Sequence, residues 1–170
     1  MKAIAFIIYT LGISTLFVQC KSVNSLSSKE EVNTVLNAWH KAAAEANFDA
    51  YFNIMTPNSH FIGTDATENW GYEDFKAYAK PHFDKGSAWA FTTLERTIFI
   101  APKKELAWFD EHLDTQMGIC RGSGVLKKVN GQWKIAHYVL SIAVPNEHVR
   151  SLTTLKKEWD EAHIKNLTKN

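Results

Sequence analysis

Residues 119–142 read ICRGSGVLKKVNGQWKIAHYVLSI and carry the clearest local signal in the chain. Two apolar runs, 119–129 and 133–143, lie on either side of Asn130-Gly131. An Asn-Gly pair between such runs favours a two-residue turn that joins antiparallel strands. This stretch therefore predicts a β-hairpin.

The segments on either side of the hairpin indicate the rest of the fold. Two further strands are predicted at 88–100 and 105–116, and Pro145 ends the sheet. Apolar residues recur at helical spacing in the first half of the chain and again after Pro145. They predict helices at about 29–46, 48–55, 72–85 and 147–167, with a short strand at His60–Gly63. Helices followed by antiparallel hairpins indicate an α+β fold.

Single residues mark several of these boundaries. Ser28 precedes acidic residues and is the expected N-cap of the first helix. Pro57-Asn58 is expected to stop the second helix. Pro81 lies inside the third, so a kink or an early end near Lys80 is expected there.

The composition is that of one ordinary globular domain. Of 170 residues, 45% are hydrophobic, 12% aromatic and 22% charged, which is too apolar for disorder. Lys and Arg number 19 against 18 Asp and Glu, so a net charge of +1 favours neither nucleic acid nor an anionic membrane as a partner. A domain of this size buries about 70% of the surface of its unfolded chain and can still enclose a pocket.

The first twenty residues have the features of an export signal. Lys2 precedes an apolar stretch that is short for a membrane helix, and Cys20 follows it. Cys20 resembles the acylated cysteine of bacterial lipoproteins; plain secretion and an uncleaved anchor remain open. We expect a signal peptide at 1–20, a polar tether at 21–28 and a lipid-anchored location in the bacterial cell envelope.

Cys120 is the one cysteine left after such processing. It cannot form an internal disulfide, and we expect it to be a small buried side chain.

The strand at 133–142 is apolar on both faces if it alternates strictly. One face would carry Trp133, Ile135, His137 and Val139, and the other Ala136, Tyr138, Leu140 and Ile142. An antiparallel strand with one wet face should alternate apolar and polar residues instead. We therefore expect a second subunit or the C-terminal helix to cover the face that the three N-terminal helices leave free.

Gly122 and Gly124 leave bare backbone on one face of the preceding strand. Such a pair either admits a ligand or lets the strand bend sharply.

The order of elements and several short motifs resemble the SnoaL-like branch of the nuclear-transport-factor-2-like superfamily. The resemblance covers about 29–144 and leaves 145–170 as a helical extension. Its motifs are V-x-x-x-L-x-x-W-H-K-A-A-A at 32–44, F-D-A-Y-F at 48–52, F-I-G-T-D-A-T-E at 61–68, A-W-F-D-E at 107–111, C-R-G-S-G-V-L at 120–126 and G-Q-W-K-I-A-H-Y at 131–138.

The resemblance implies a cone-shaped half-barrel of curved antiparallel sheet, closed by the three helices, with a pocket inside. Many members dimerise through the outer face of the sheet, so a homodimer is expected. By analogy, the residues that point into the cone are Trp108, Asp110 and His112, then Cys120, Gly122 and Gly124, and finally Ala136, Tyr138 and Leu140.

Asp110 is the first candidate for a general base under this assignment. A carboxylate in an apolar cone has a raised pKa, which suits proton abstraction next to a carbonyl group, or dehydration, without metal or cofactor. Tyr138 would donate to the developing oxyanion and His112 would assist, while Asp65 lies near the position of the base in related isomerases. The alternatives are a hydrogen-bonded acid that holds Arg121, for Asp110, and a turn cap, for Asp65.

Aromatic side chains are the candidates for the wall of a pocket that takes a small, flat, apolar ligand. Arg121 either pairs with an anionic group of the ligand or closes a salt bridge with Asp110 or Glu111. The full set of ligand-binding candidates is Trp39, Phe52, Phe61, Trp70, Tyr78, Trp89, Trp108 and Arg121. Three functions remain open: cofactor-free isomerase or dehydratase chemistry, non-catalytic binding, and protein docking through the C-terminal helix.

Overall fold

The computed structural model describes residues 26–86 and 88–169, and three helices precede most of the sheet. α1 (Ser28–Ala44) begins after Ser27, whose hydroxyl accepts from the Glu30 amide while the Glu30 carboxylate accepts from the Ser27 amide. This capping box moves the N-cap one residue ahead of the predicted Ser28. α2 spans Phe48–Asn53 and α3 spans Tyr72–Asp84.

The prediction for Pro57 was wrong in position, and the early end that was one of two outcomes expected at Pro81 does not occur. α2 ends at Asn53, and Pro57 lies inside β1 (Met55–Ile62), where the pairing register shifts between Met55 and His60. Proline is tolerated at such irregularities because the ladder needs no amide there. α3 continues past Pro81 to Asp84, since a proline in the last turn removes only one backbone hydrogen bond.

Six strands form one curved, unclosed sheet in the order β2-β1-β6-β5-β4-β3. All neighbours are antiparallel except β1 and β6, which are parallel. Asn130 and Gly131 have φ of 51° and 80°, so the predicted hairpin turn is confirmed. The remaining strands are β2 (Asn69–Gly71), β3 (Thr92–Ile100), β4 (Leu106–Thr115), β5 (Gly118–Val129) and β6 (Gln132–Ile142).

A register shift in β6 explains why that strand seemed apolar on both faces. His137 pairs with Val125 and Ile135 with Leu126, so Ala136 is an extra residue and the alternation changes phase there. Trp133 and Ile135 therefore share the buried inner face with Tyr138 and Leu140, as their low exposure confirms. The expectation that the outer face of β6 is as apolar as the inner one was wrong.

The alternation of inward and outward side chains predicted for β4 was wrong by one residue. The buried side chains are Ala107, Phe109, Glu111 and Leu113, whereas Trp108, Asp110 and His112 lie on the outer face. The glycines of β5 fix this phase, because Phe109 pairs with Gly124 and Glu111 with Gly122. A Cβ atom on Gly122 would lie 2.9 Å from Glu111 Cγ, and one on Gly124 would lie 2.9 Å from Phe109 Cε1. Large side chains of β4 thus fill the space that the glycines leave.

The core lies between the inner face of the sheet and the N-terminal helices, and Cys120 is buried in it as predicted. α4 (Val149–Leu167) follows a short 3-10 turn at Asn146–His148, and none of its residues is buried. Within residues 26–86 and 88–169, no helix is both long and apolar enough to cross a bilayer. The predicted signal peptide, including Cys20, lies outside the described residues.

Candidate ligand-binding site

A cavity of about 220 Å³ lies between the inner face of the sheet and α3. β1, β2 and the loop between them form one side, α3 forms another, and the segment before β3 and the β4–β5 turn contribute the rest. Its lining residues are Phe61, Gly63, Thr64, Glu68, Trp70, Phe75, Tyr78, His82, Ala88, Trp89, Phe91, Gln116, Met117 and Leu140.

Half of the lining residues carry aromatic rings, and several of these rings lie in nearly parallel planes. Phe75 is stacked on Phe61 at 4.1 Å between ring centroids with 13° between planes. Trp70 and Trp89 lie 5.8 Å and 6.0 Å from Phe75, at 20° and 27° to its plane. Phe75, Tyr78 and His82 are three, four and seven positions apart on α3, so one helix face delivers all three. Flat surfaces in similar orientations suit a flat ligand.

Glu68 supplies a carboxylate at the edge of this cavity. Its Oε2 accepts from the Asp65 amide at 3.2 Å, and the backbone amide of Gly63 donates to the Glu68 carbonyl at 3.0 Å. A Cβ atom on Gly63 would lie 2.1 Å from Oε2, so a side chain at position 63 would displace the carboxylate from its present position. Burial and the negative charge of Glu68 both raise the pKa of Tyr78.

A second polar cluster lies deeper, around the carboxylate of Glu111. Arg96 donates to Glu111 Oε2 from Nε at 2.8 Å, and its Nη2 lies 2.7 Å from the same oxygen. Tyr138 donates to Oε1 at 3.1 Å, and His40 Nε2 lies 2.9 Å from that oxygen. Burial acts to raise the pKa of Glu111, but His40 and Arg96 outweigh it and hold the pKa below its ordinary value.

The Glu111 cluster is closed to ligands and ties α1 to the sheet. Glu111 is 1% exposed and does not line the cavity. Arg96 also donates from Nη1 to the side-chain oxygens of Asn33 and Asn37 on α1, at 2.7 Å each. A Cβ atom on Gly122 would lie 2.3 Å from the Tyr138 hydroxyl oxygen. Side chains of the protein itself therefore fill the space beside Gly122 and Gly124, which a ligand was one candidate to fill.

The four candidate catalytic residues are not brought together. Asp110 is exposed on the outer face, and His112 Nδ1 lies there 2.5 Å from Glu95. Tyr138 is fully buried in the Glu111 cluster, which raises the pKa of its hydroxyl through burial and the charge of Glu111. Asp65 is exposed and accepts from the amide and hydroxyl of Thr67, as a turn cap does. The orientation on which Asp110 was chosen as a base is thus corrected.

Four of the eight ligand-binding candidates line the cavity, two lie in the core and two lie on the outer face. Phe61, Trp70, Tyr78 and Trp89 line the cavity. Trp39 and Phe52 are buried core residues, at 1% and 2% exposure. Trp108 and Arg121 lie on the outer face, where Arg121 Nη2 is 3.3 Å from His112 Nε2 rather than beside Asp110 or Glu111.

Sequence reasoning missed two titratable cavity residues, Glu68 and His82, and one buried cluster. His82 could have been found from its helical spacing to Phe75 and Tyr78. Glu68 stands in a turn-rich segment without periodicity, so no sequence signal marked it. The Glu111 cluster joins residues 71 and 15 positions apart, which no local pattern relates.

Comparison with known proteins shows the family to which the chain belongs. The model of the SnoaL-like domain matches residues 32–145. Similar solved structures include an NTF2-like protein from Pseudomonas putida KT2440 (14% identity, 72% of this chain, 93% of that chain, TM-score 0.59). An NTF2-like protein from Cytophaga hutchinsonii is 14% identical and matches 69% of this chain and 100% of that chain, with a TM-score of 0.59. The association domain of C. elegans CaMKII is 19% identical and matches 67% of this chain and 95% of that chain, with a TM-score of 0.55.

No curated protein matches the chain. The SnoaL-like domain match supports a fold of the ligand-binding or isomerase type. The α+β architecture, the curved six-stranded sheet and the family match over 32–145 agree: the fold is that of NTF2-like proteins, and the chain belongs to the SnoaL-like domain family.

Proposed function

We propose that this protein binds a small, flat, apolar molecule in the aromatic cavity without transforming it. The observation that carries the proposal is the cavity itself, in which the rings of Trp70 and Trp89 lie nearly parallel to that of Phe75. The acid–base groups expected for isomerase or dehydratase chemistry lie outside this cavity, which favours binding over catalysis.

The size of the cavity limits the ligand. Drug-sized pockets measure roughly 300–1,000 Å³, and an apolar cavity of about 150 Å³ holds benzene. At about 220 Å³, the cavity suits a molecule with one substituted ring. Thr64, His82 and Gln116 offer polar atoms at its border for a hydroxyl or carbonyl group.

A calorimetric titration with 3-tert-butylphenol tests the binding proposal. We expect saturable binding to the wild-type chain, and a loss of about tenfold in affinity in Trp70→Leu, because that ring supplies wall area. Trp108→Leu is the matched control, since Trp108 lies on the outer face. Equal loss in both variants, or no binding by the wild type, would contradict the proposal.

The export prediction is retained as part of the proposed function, and its test concerns Cys20. Expression of the full chain in a bacterium should yield a membrane-associated protein whose N-terminal peptide carries acyl chains on Cys20. Cys20→Ala should abolish both properties. If mass spectrometry finds Cys20 unmodified in the mature protein, the lipid anchor is contradicted, and plain secretion or an uncleaved membrane anchor remain as the alternatives.

The homodimer prediction is also retained, on a different surface observation. Phe99 and Trp108 stack on the outer face at 5.6 Å and 10°, and they remain 42% and 48% exposed. Exposed aromatic pairs of this kind are common at protein interfaces. Sedimentation should give a dimer for the wild type and a monomer for Trp108→Glu. A monomeric wild type would remove this part of the proposal.

A further inference from the structure

The cavity has a distinct charge pattern that the size and aromaticity of its wall do not explain. Among the lining residues in the described part of the chain, Glu68 is the only aspartate or glutamate, and no lysine or arginine is present. His82 is the one other titratable side chain besides Tyr78. The permanent charge that faces a ligand is therefore negative.

The Glu68 carboxylate is held in place without a cationic partner. In the described parts of the chain, no nitrogen of a lysine, arginine or histidine lies within 4.0 Å of it, as the ion pairs there involve other acids. Lys156 of α4 approaches the same loop from the opposite side, but its ammonium pairs with Asp160 at 3.3 Å. The Asp65 amide donates to the carboxylate, and the Gly63 amide donates to the backbone carbonyl of Glu68, so the 63–68 loop positions this residue while its charge stays available.

Aromatic rings and one carboxylate together form a chemical environment for an organic cation. A ring face attracts a cation through its quadrupole, by about 0.5–2 kcal/mol depending on solvent exposure. A carboxylate adds a direct ionic contact, which is stronger when water is displaced from the site. A neutral ligand gains nothing from this charge, and an anion is repelled by both the rings and Glu68.

We infer that the ligand of this cavity is an aromatic or similarly flat organic cation, an amine or a quaternary ammonium compound, whose positive group lies between Glu68 and the aromatic wall. This inference rests on the proposed binding function: the ligand keeps the flat apolar ring proposed above and carries one positively charged group in addition. Trp70 and Tyr78 line the cavity together with Glu68, and because they stack on each other at 4.3 Å, the surfaces of this pair that they leave uncovered are the candidate cation-binding surfaces.

Three phenols of similar shape and different charge test the inference by calorimetry. The cation is 3-hydroxyphenyltrimethylammonium, the neutral isostere is 3-tert-butylphenol, and the anion is 3-hydroxybenzenesulfonate. We expect the cation to bind the wild type at least tenfold more tightly than the neutral phenol, and the anion to bind most weakly. Because the first comparison uses only wild-type protein, no variant has to fold for it to be decisive.

Glu68→Gln then tests which residue provides the preference. Glutamine keeps an oxygen that can accept from the Asp65 amide, so the loop is preserved while the charge is lost. The cation should lose about tenfold in affinity and the neutral phenol less than twofold. Glu105→Gln, which removes one negative charge from an exposed position that does not line the cavity, should change neither value.

The outcomes separate this inference from the proposed function. If the neutral phenol binds as tightly as the cation, or if the anion binds best, the inference is overturned and the binding proposal stands. If Glu68→Gln weakens cation and neutral phenol equally, the residue is structural and the inference is likewise overturned. If none of the three binds, the proposed function fails and takes the inference with it.

Discussion

Replacing Arg96 with methionine is expected to destabilise the protein by about 3–5 kcal/mol, because the variant leaves a buried carboxylate without its cationic partner. The Arg96 side chain is 4% exposed and that of Glu111 is fully buried. The guanidinium makes two contacts to Glu111 Oε2, at 2.8 Å and 2.7 Å. Methionine replaces the aliphatic stem of arginine and has no guanidinium, so the variant removes the ion pair and its hydrogen bonds while the packing of the stem is kept.

The magnitude follows from what remains around Glu111 in this variant. Tyr138 and His40 still contact Oε1, but no group contacts Oε2 within the described residues once Arg96 is gone. An unpaired buried charge costs several kcal/mol after the surroundings relax. Asn33 and Asn37 also lose a donor, although they are exposed and water can replace it. The expected loss of about 3–5 kcal/mol approaches the lower end of the free energy of unfolding of a typical domain, which is about 5–15 kcal/mol.

Urea unfolding followed by tryptophan fluorescence measures this cost. Arg121→Met is the matched control, because it makes the same substitution at an exposed arginine of the outer face and should change the free energy of unfolding by less than about 0.5 kcal/mol. The double variant Arg96→Met/Glu111→Met removes both charges and should recover about 2 kcal/mol or more of the loss.

Two results would refute the reasoning. A loss in Arg96→Met no larger than in Arg121→Met would mean that Glu111 is neutral or solvated in the folded state. A double variant as unstable as the sum of its two single variants would mean that Arg96 and Glu111 stabilise the fold independently.

The same cluster and two other features give three further predictions. The pKa of Glu111 is lowered in the folded state from an ordinary value of 4.5, so the unfolded state binds the proton more tightly. The stability that the ionised Glu111 contributes is therefore present above pH 4.5 and is lost as the pH falls through the lower pKa of the folded state. Urea unfolding from pH 6 to pH 3 should show a smaller decline in the free energy of unfolding for Glu111→Gln than for the wild type. Gly122→Ala should cost about 1–3 kcal/mol, because its Cβ would lie 2.3 Å from the Tyr138 hydroxyl oxygen, and a neutral effect in thermal unfolding would show that β5 yields easily. Deleting 149–170 should lower the free energy of unfolding by less than about 1 kcal/mol, since α4 has no buried residue; a larger loss in urea would reveal a stabilising contact of that helix.

Features set by residues close in sequence were predictable here. Three N-terminal helices, the Asn130-Gly131 turn and the strand order along the chain depend on periodicity and turn chemistry within a few positions. The α+β class followed from their succession. Phe61, Trp70, Tyr78 and Trp89 line the cavity as expected, but the same aromatic criterion also selected Trp39, Phe52 and Trp108, which do not line it.

The faces on which the side chains of β4 and β6 lie could not be predicted from the sequence, because they depend on contacts with residues distant in sequence. One extra residue at Ala136 inverted the alternation of β6, and the glycines of β5 decided which side of β4 faces the core. A one-residue shift moves every side chain of a strand to the other face, so Asp110 and Glu111 exchanged the positions expected for them. Sequence by itself determined the elements and their order, because local sterics and hydrogen bonding act over a few residues. Only packing of the strands against one another decided which carboxylate is buried and which faces the cavity, because burial depends on atoms that the chain brings together from far apart.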